Sequence, residues 1–230
     1  MNDFEQPAIL HTDLNPVLWE HGHLKKDVHI ALLKIAKAYY KFLGIDTPII
    51  DVVISGSQAN YNYSKHSDID LHLIVDYGTV QCDMAVDELF KTKRDLWREE
   101  HNIDIYNIPV ELYAEDVRKP AVSSAYSILK NTWIKSPEHI TRKPNIKQIQ
   151  RLCLAWMIFI TTRLATKDIE QIVQAKDVLW EYRKTGLAKE GEFGTPNLVF
   201  KTLRNSGVTE MLLTAIGHLR DEELRLEDLN

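Results

Sequence analysis

Cysteine is almost absent from this chain: Cys82 and Cys153 are the only two in 230 residues. They lie far apart and lack the paired spacing of a metal knuckle. Neither a disulfide framework nor a cysteine zinc site is expected, and free thiols in a reducing compartment are. Long apolar runs are missing too. The longest, around Leu152 to Ile160, is bounded by Arg151 and Arg163 and is too short to span a bilayer. The first ten residues are acidic and carry no apolar signal core. Positive charge is not in excess: 28 Lys and Arg against 33 Asp and Glu give a net charge of −5. That argues against broad non-specific binding of nucleic acid, while leaving room for a local basic strip. No internal repeat and no low-complexity segment interrupts the chain. The expectation is a cytoplasmic protein, in its own cell or in a host cytoplasm, with no membrane partner.

What is present suits a globular chain. Apolar residues make up 44% and charged residues 27%, enough for a substantial core in one large domain or two small ones. Leu24 to Leu43 carries apolar residues at helical spacing and ends at Gly44. Pro48 to Ser55 and Ile69 to Asp76 read as strands, with a polar stretch between them that turns at Gly56-Ser57 and enters a short helix. Asp83 to His101 reads as a helix with Val86, Leu89, Phe90 and Trp97 inward. Ile103 to Tyr106 and Val110 to Tyr113 suggest a hairpin, as does Ser124 to Ile134 with its turn at Lys130-Asn131. Residues 1–22 look irregular. After Pro137 the pattern becomes helical, with breaks near Lys167-Asp168 and across Thr185 to Pro196. Three or four helices and an acidic end from Asp221 to Asp228 follow. The expected division is an α/β domain over 1–140 and an α-helical domain over 141–230.

Chemistry concentrates in Gly56 to Leu71, GSQANYNYSKHSDIDL. The first strand runs into Gly56-Ser57, and Asp68-Ile69-Asp70 opens the second. Alternation along a strand puts residues i and i+2 on one face, so Asp68 and Asp70 stand side by side. Two carboxylates that close repel unless a cation lies between them or one keeps its proton. The Gly-Ser turn can bring backbone N–H groups to phosphate oxygens. A phosphate cradle beside a divalent-metal clamp is what phosphoryl or nucleotidyl transfer requires.

Ile54-Ser55-Gly56-Ser57 followed by Ser67-Asp68-Ile69-Asp70-Leu71 resembles the nucleotidyltransferase superfamily that includes DNA polymerase beta. Its pattern is a hydrophobic residue, Gly and then Gly or Ser, followed by an acidic–hydrophobic–acidic–hydrophobic run. The likeness covers roughly residues 25–135 and looks closest to minimal, stand-alone members, including those of bacteriophages. It implies an α+β palm with a mixed sheet, here followed by the helical module, and a third carboxylate on a later strand. Asp104 and Glu111 are the candidates, and they would face one another if Asn107-Ile108 were a hairpin tip. Glu111 is favoured, because an acid flanked by Val110 and Leu112 on a buried strand needs a compensating partner that a metal supplies. Asp104 fits a solvated edge.

The resemblance further implies that Asp68 and Asp70 hold Mg²⁺ or Mn²⁺ on the triphosphate of an NTP, with ATP the default. Glu111 would join a second metal site or act as base. Gly56, Ser57 and Ser67 would serve nucleotide binding, with Ser57 on the β- or γ-phosphate. The reaction would move an NMP to an acceptor hydroxyl and release pyrophosphate. The acceptor stays open among a small molecule, an RNA 3′ end, a protein and a nucleotide. Alternatives are a protein-adenylylating, toxin-like regulator and a catalytically silent nucleotide-binding interaction protein. Phosphatase and glycosyltransferase readings of the Asp pair fit less well, since there the pair ends its strand. His66, His72 and Lys65 read as ordinary polar residues. Tyr61 and Tyr63 are divided between base stacking and packing. Arg142, Lys143, Lys147 and Arg151 form a basic strip whose simplest reading is a solvated helix face.

Overall fold

The computed structural model describes residues 10–81, 85–119, 123–139 and 144–225. The chain divides into two compact units, with the described residues falling into 10–139 and 144–225. The first unit opens with two very short strands, β1 (Trp19–Glu20) and β2 (His23–Leu24), joined through His21 and Gly22, both at positive φ. Helix α1 (Lys26–Leu43) follows and stops at Gly44 in the left-handed conformation. Val28, Leu32, Ala36, Tyr39 and Leu43 form its buried stripe, with the i, i+4, i+7 recurrence of a helix lying on a core.

Strand β3 (Asp51–Ser55) and strand β4 (Ile69–Val75) are joined by a loop containing a three-residue 3₁₀ turn at Ser57–Ala59. Helix α2 (Val86–Glu100) then leads to β5 (Asp104–Ile105), β6 (Ile108–Asp116), β7 (Ala125–Ser127) and β8 (Thr132–Lys135). The β5–β6 turn places Tyr106 and Asn107 at positive φ, the requirement of a tight two-residue hairpin. The sheet order is β5-β6-β4-β3-β7-β8. β4 and β6 are parallel, with α2 in the connection between them, and the other neighbours are antiparallel. This is a mixed six-stranded sheet in an α/β unit.

Strict alternation on β4 divides the sheet into two faces. Ile69, Leu71, Leu73 and Val75 are buried, and together with Val52 and Ile54 they join α1 and α2 in one core. Asp70, His72 and Ile74 point to the opposite face. That second face carries the polar chemistry.

The second unit contains α3 (Ile146–Ala165), α4 (Ile169–Glu190), α5 (Thr195–Asn205) and α6 (Val208–Glu223). Asn145 caps α3 by accepting the N–H of Gln148, and Asp168 caps α4 through Glu170 and Gln171. Ile149, Cys153, Ile160, Leu179, Leu198, Phe200 and Leu212 are among its core residues. Trp156, Met157 and Phe159 pack partly buried against them.

Two details depart from the expectations. Strand β1 and the His21-Gly22 turn fall before residue 23, where irregular chain is expected, and pair with β2 just beyond it. α4 continues past Thr185 to Glu190, and Gly186 within it is where Pro196 packs: a Cβ there would lie 2.2 Å from the proline Cβ. The glycine is a contact surface within the helix rather than its end. The described part of the basic strip fits the expected solvated helix face. Lys147 and Arg151 lie exposed on α3, whereas Arg142, Lys143 and Cys82 fall outside the described residues. Among the described residues no helix is long and apolar enough to cross a membrane.

Candidate metal centre

The parallel pairing of β4 with β6 sets Asp70 directly beside Glu111, and the antiparallel pairing with β3 sets Ser55 on its other side. Asp68 stands just before β4, on the face that alternation assigns to Asp70. One carboxylate oxygen each from Asp68, Asp70 and Glu111 lies within 4.8 Å of the others, and all three residues are half-buried. Hard oxygen donors from three carboxylates suit Mg²⁺ or Mn²⁺. Oxygens that each lie about 2.1 Å from a common ion fall within roughly 4.2 Å of one another, so the 4.8 Å bound here needs only small side-chain movements to close on one ion.

Gly56 makes the arrangement sterically feasible. Its backbone has φ 71° and ψ −158°, a region essentially restricted to glycine. A Cβ at this position would lie 2.0 Å from Oδ2 of Asp70. The glycine is therefore required for the approach of a protein carboxylate, in addition to any ligand.

The loop between the strands is tied from inside. Ser57 and Ser67 are both buried, and the Ser57 hydroxyl donates to Ser67 Oγ at 3.0 Å. Ser67 Oγ also accepts the N–H of Ser64, and Gln58 donates to the Ser67 carbonyl. Ser67 immediately precedes Asp68, so this network fixes where the first carboxylate emerges. Tyr63 stacks on His11 with ring centroids 3.8 Å apart, and Tyr61 stacks on His139 at the same distance. Both tyrosines thus have protein partners.

Glu111 is held at both oxygens. Tyr113 Oη donates to Oε2 at 2.5 Å, and Arg98 of α2 brings Nη2 to 3.4 Å from Oε1. The Arg94 guanidinium lies 5.7 Å from the centre of the Tyr113 ring, within cation–π range. Burial, the bond to Glu111 and the fields of Asp70, Glu111 and Asp68 together hold the Tyr113 phenol protonated far above its ordinary range. Tyr113 is therefore a permanent donor to Glu111. The sequence contained the signal for it: two residues beyond Glu111 on the same strand is the same face.

Asp104 goes elsewhere. It pairs with Pro109 across the β5–β6 hairpin, is exposed, and accepts the N–H of Asn107 at 3.0 Å. The expected facing of positions 104 and 111 does not occur, because the turn falls at Tyr106-Asn107 rather than at Asn107-Ile108. Asp104 caps a turn; Glu111 joins the cluster.

His72 lies outside the cluster but on its face. Nε2 is 2.9 Å from Ser55 Oγ, and Nδ1 is 3.2 Å from Oε2 of Glu115. Its ring stacks on Tyr113 at 4.9 Å. Desolvation works to raise the Glu115 pKa, yet His72 and Lys119 hold it down at about 2. Lys65 and His66 are exposed in the loop.

No family model matches this chain, and neither a curated protein nor a solved structure matches it at a significant level.

Proposed function

We propose that the protein is a metal-dependent nucleotidyltransferase with a polymerase-beta-like palm, moving an NMP from an NTP, ATP by default, to an acceptor hydroxyl. The observation that carries this reading is the meeting of Asp68, Asp70 and Glu111 within 4.8 Å, backed by Gly56. These residue types, on paired strands beside a Gly-Ser turn, are what the motif resemblance asks for. Carboxylates grouped this way repel unless a cation lies among them or one keeps its proton, and a divalent ion meets that need, while Tyr113 and Arg98 contact Glu111 beside the group.

In this reading Asp68, Asp70 and Glu111 hold Mg²⁺ or Mn²⁺. A bound divalent ion would supply charge neutralisation of the triphosphate and of the leaving pyrophosphate. Gly56, Ser57 and Ser67 serve the nucleotide by fixing the loop that presents Asp68, with backbone N–H groups at the turn available to phosphate. The acceptor oxygen forms a bond to the α-phosphorus as the bond to the β-phosphate oxygen breaks. Pyrophosphate leaves, and Glu111, next to Asp70, receives the acceptor proton.

The test is transfer of label from α-phosphate-labelled NTPs with Mg²⁺ or Mn²⁺, in wild type and in Asp68→Asn, Asp70→Asn, Glu111→Gln and Asp104→Asn. The first three variants are expected to lose turnover while retaining the wild-type circular dichroism spectrum, and Asp104→Asn to retain activity. Full activity in Asp68→Asn or Asp70→Asn would sink the reading.

A further inference from the structure

The polar face of the sheet continues beyond the carboxylates. From Asp70 and Glu111 the next pair along β4 and β6 is His72 with Tyr113, then Ile74 with Glu115. On β3 the same face carries Ser55, Val53 and Asp51. Beyond the carboxylates, this face lines a pocket of about 340 Å³, with Val53, Ile74 and Ile134 among its apolar walls and Asp51, Ser55, His72 and Glu115 among its polar ones. Small-molecule pockets run from about 300 to 1,000 Å³, so this one suits one or two rings. Ser55 is the register partner of Asp70, so one end of the pocket adjoins the carboxylate cluster. Asp51 lies four residues from Ser55, roughly 13 Å along an extended strand.

We propose that this pocket holds the acceptor of the transfer, a small polyhydroxylated molecule, with its reacting hydroxyl at the Ser55 end and a hydrogen-bond donor on Asp51. The assignment rests on the nucleotidyltransferase reading and names the acceptor class that reading leaves open.

Asp51 is the anchor because its bonding is incomplete. Its side chain is 7% exposed. Oδ1 accepts the Val52 N–H at 2.8 Å and the Ser127 hydroxyl at 2.7 Å. Oδ2 has the Lys130 ammonium at 3.7 Å, beyond hydrogen-bond reach. A carboxylate oxygen on a cavity wall that is held only by a long ion pair has spare acceptor capacity, and a ligand hydroxyl or amine can use it. The other carboxylate of the pocket is already engaged at both oxygens: Glu115 meets His72 at Oε2 and Lys119 at Oε1, 2.6 Å away. The apolar walls provide a surface for the ring of a sugar or nucleoside. A polynucleotide acceptor would instead need a row of cations free to follow its phosphates, whereas Lys119 is engaged 2.6 Å from Glu115.

The experiment uses the full chain and four named probes, glucose, glucosamine, ribose and cytidine, with an RNA oligonucleotide as the polymeric comparison. Each probe is titrated calorimetrically and is also offered as acceptor with α-labelled ATP and Mn²⁺. Mn²⁺ binding is measured separately. The variants are Asp51→Asn, which keeps size and removes charge, and Ile74→Trp, which fills the pocket from a half-exposed position. Ile134→Trp, on an edge strand and 53% exposed, replaces Ile74→Trp if that chain fails to fold. At least one probe is expected to bind and take label. Affinity should fall about tenfold in Asp51→Asn and be lost on filling the pocket, with Mn²⁺ binding unchanged in all variants. The pocket assignment alone is overturned if the protein turns over ATP while no probe binds, or if the filled pocket labels a probe or the RNA as well as wild type does. A probe that binds in the pocket of a protein showing neither Mn²⁺ binding nor label transfer overturns the transferase reading, and the acceptor role with it.

Discussion

Gly56 and Asp70 are in direct steric apposition: the position a Cβ would take on Gly56 lies 2.0 Å from Oδ2 of Asp70 and 3.1 Å from its Cγ. A motif glycine beside a phosphate site is usually explained by the approach of a ligand. Here a protein carboxylate, held by the pairing of Ser55 with Asp70, fills the space first.

Gly56→Ala should therefore fail in two separable ways. The backbone strain at φ 71° should cost about 1–3 kcal/mol of stability. The clash should also move the Asp70 carboxylate and weaken Mn²⁺ binding. In an Asp70→Ala background the clash is absent, so the same substitution should cost only the strain. A double-mutant cycle by chemical denaturation should show coupling of about 1 kcal/mol or more. Additive costs would mean that the two residues do not press on one another.

Tyr113→Phe removes the hydroxyl that donates to Glu111 Oε2 and leaves the ring stacked on His72. Loss of a partner that orients a metal ligand typically costs about 10–100-fold in metal affinity. The expected result is Mn²⁺ binding weakened by roughly tenfold with little change in melting temperature. Unchanged affinity would show that Arg98 alone positions Glu111.

Much of this site was legible from residue spacing. The alternation of Ile69 to Val75 put Asp68, Asp70 and His72 on one face, and the hydrophobic flanks of Glu111 put it on an inner strand. Both are local signals tied to the two-residue period of a strand. Asp104 shows the limit. It shares the apolar–acidic–apolar setting of Glu111, and only the turn position, set by the two positive-φ residues Tyr106 and Asn107, separates a turn cap from a cluster member. The β1–β2 hairpin was illegible because two-residue strands have no period to detect. Arg98 and the Ser55–His72–Glu115 array were hidden for another reason: they join residues from different elements, and sequence spacing carries no information about which elements become neighbours.

Gly186 tests the same point in the helical unit. Alanine in place of a mid-helix glycine ordinarily gains about 1 kcal/mol. Here the added Cβ would lie 2.2 Å from Pro196 Cβ and 2.6 Å from its Cγ, and overpacking of that kind costs about 1–3 kcal/mol. Gly186→Ala should be neutral to destabilising in urea denaturation of the full chain. A gain of the ordinary helix-propensity size would show that α4 and α5 separate freely at this contact.

Glu115 provides a pH test that needs no ligand. Burial opposes its ionisation, but His72 and Lys119 depress its pKa from 4.5 to about 2. A carboxylate whose pKa is lower in the folded state binds fewer protons there than when unfolded. Its contribution is therefore complete above about pH 4.5 and is lost as the pH falls toward 2. Allowing for the partial exposure of the pair, the contribution should be on the order of 1–2 kcal/mol. Glu115→Gln removes the titrating group, so the variant should be less stable than wild type at pH 6. The difference should shrink as melting is repeated at pH 5, 4 and 3. A gap that stays constant from pH 6 to pH 3 would mean that the His72 and Lys119 contacts do not stabilise the Glu115 anion, and that its place on the sheet face is held by packing alone.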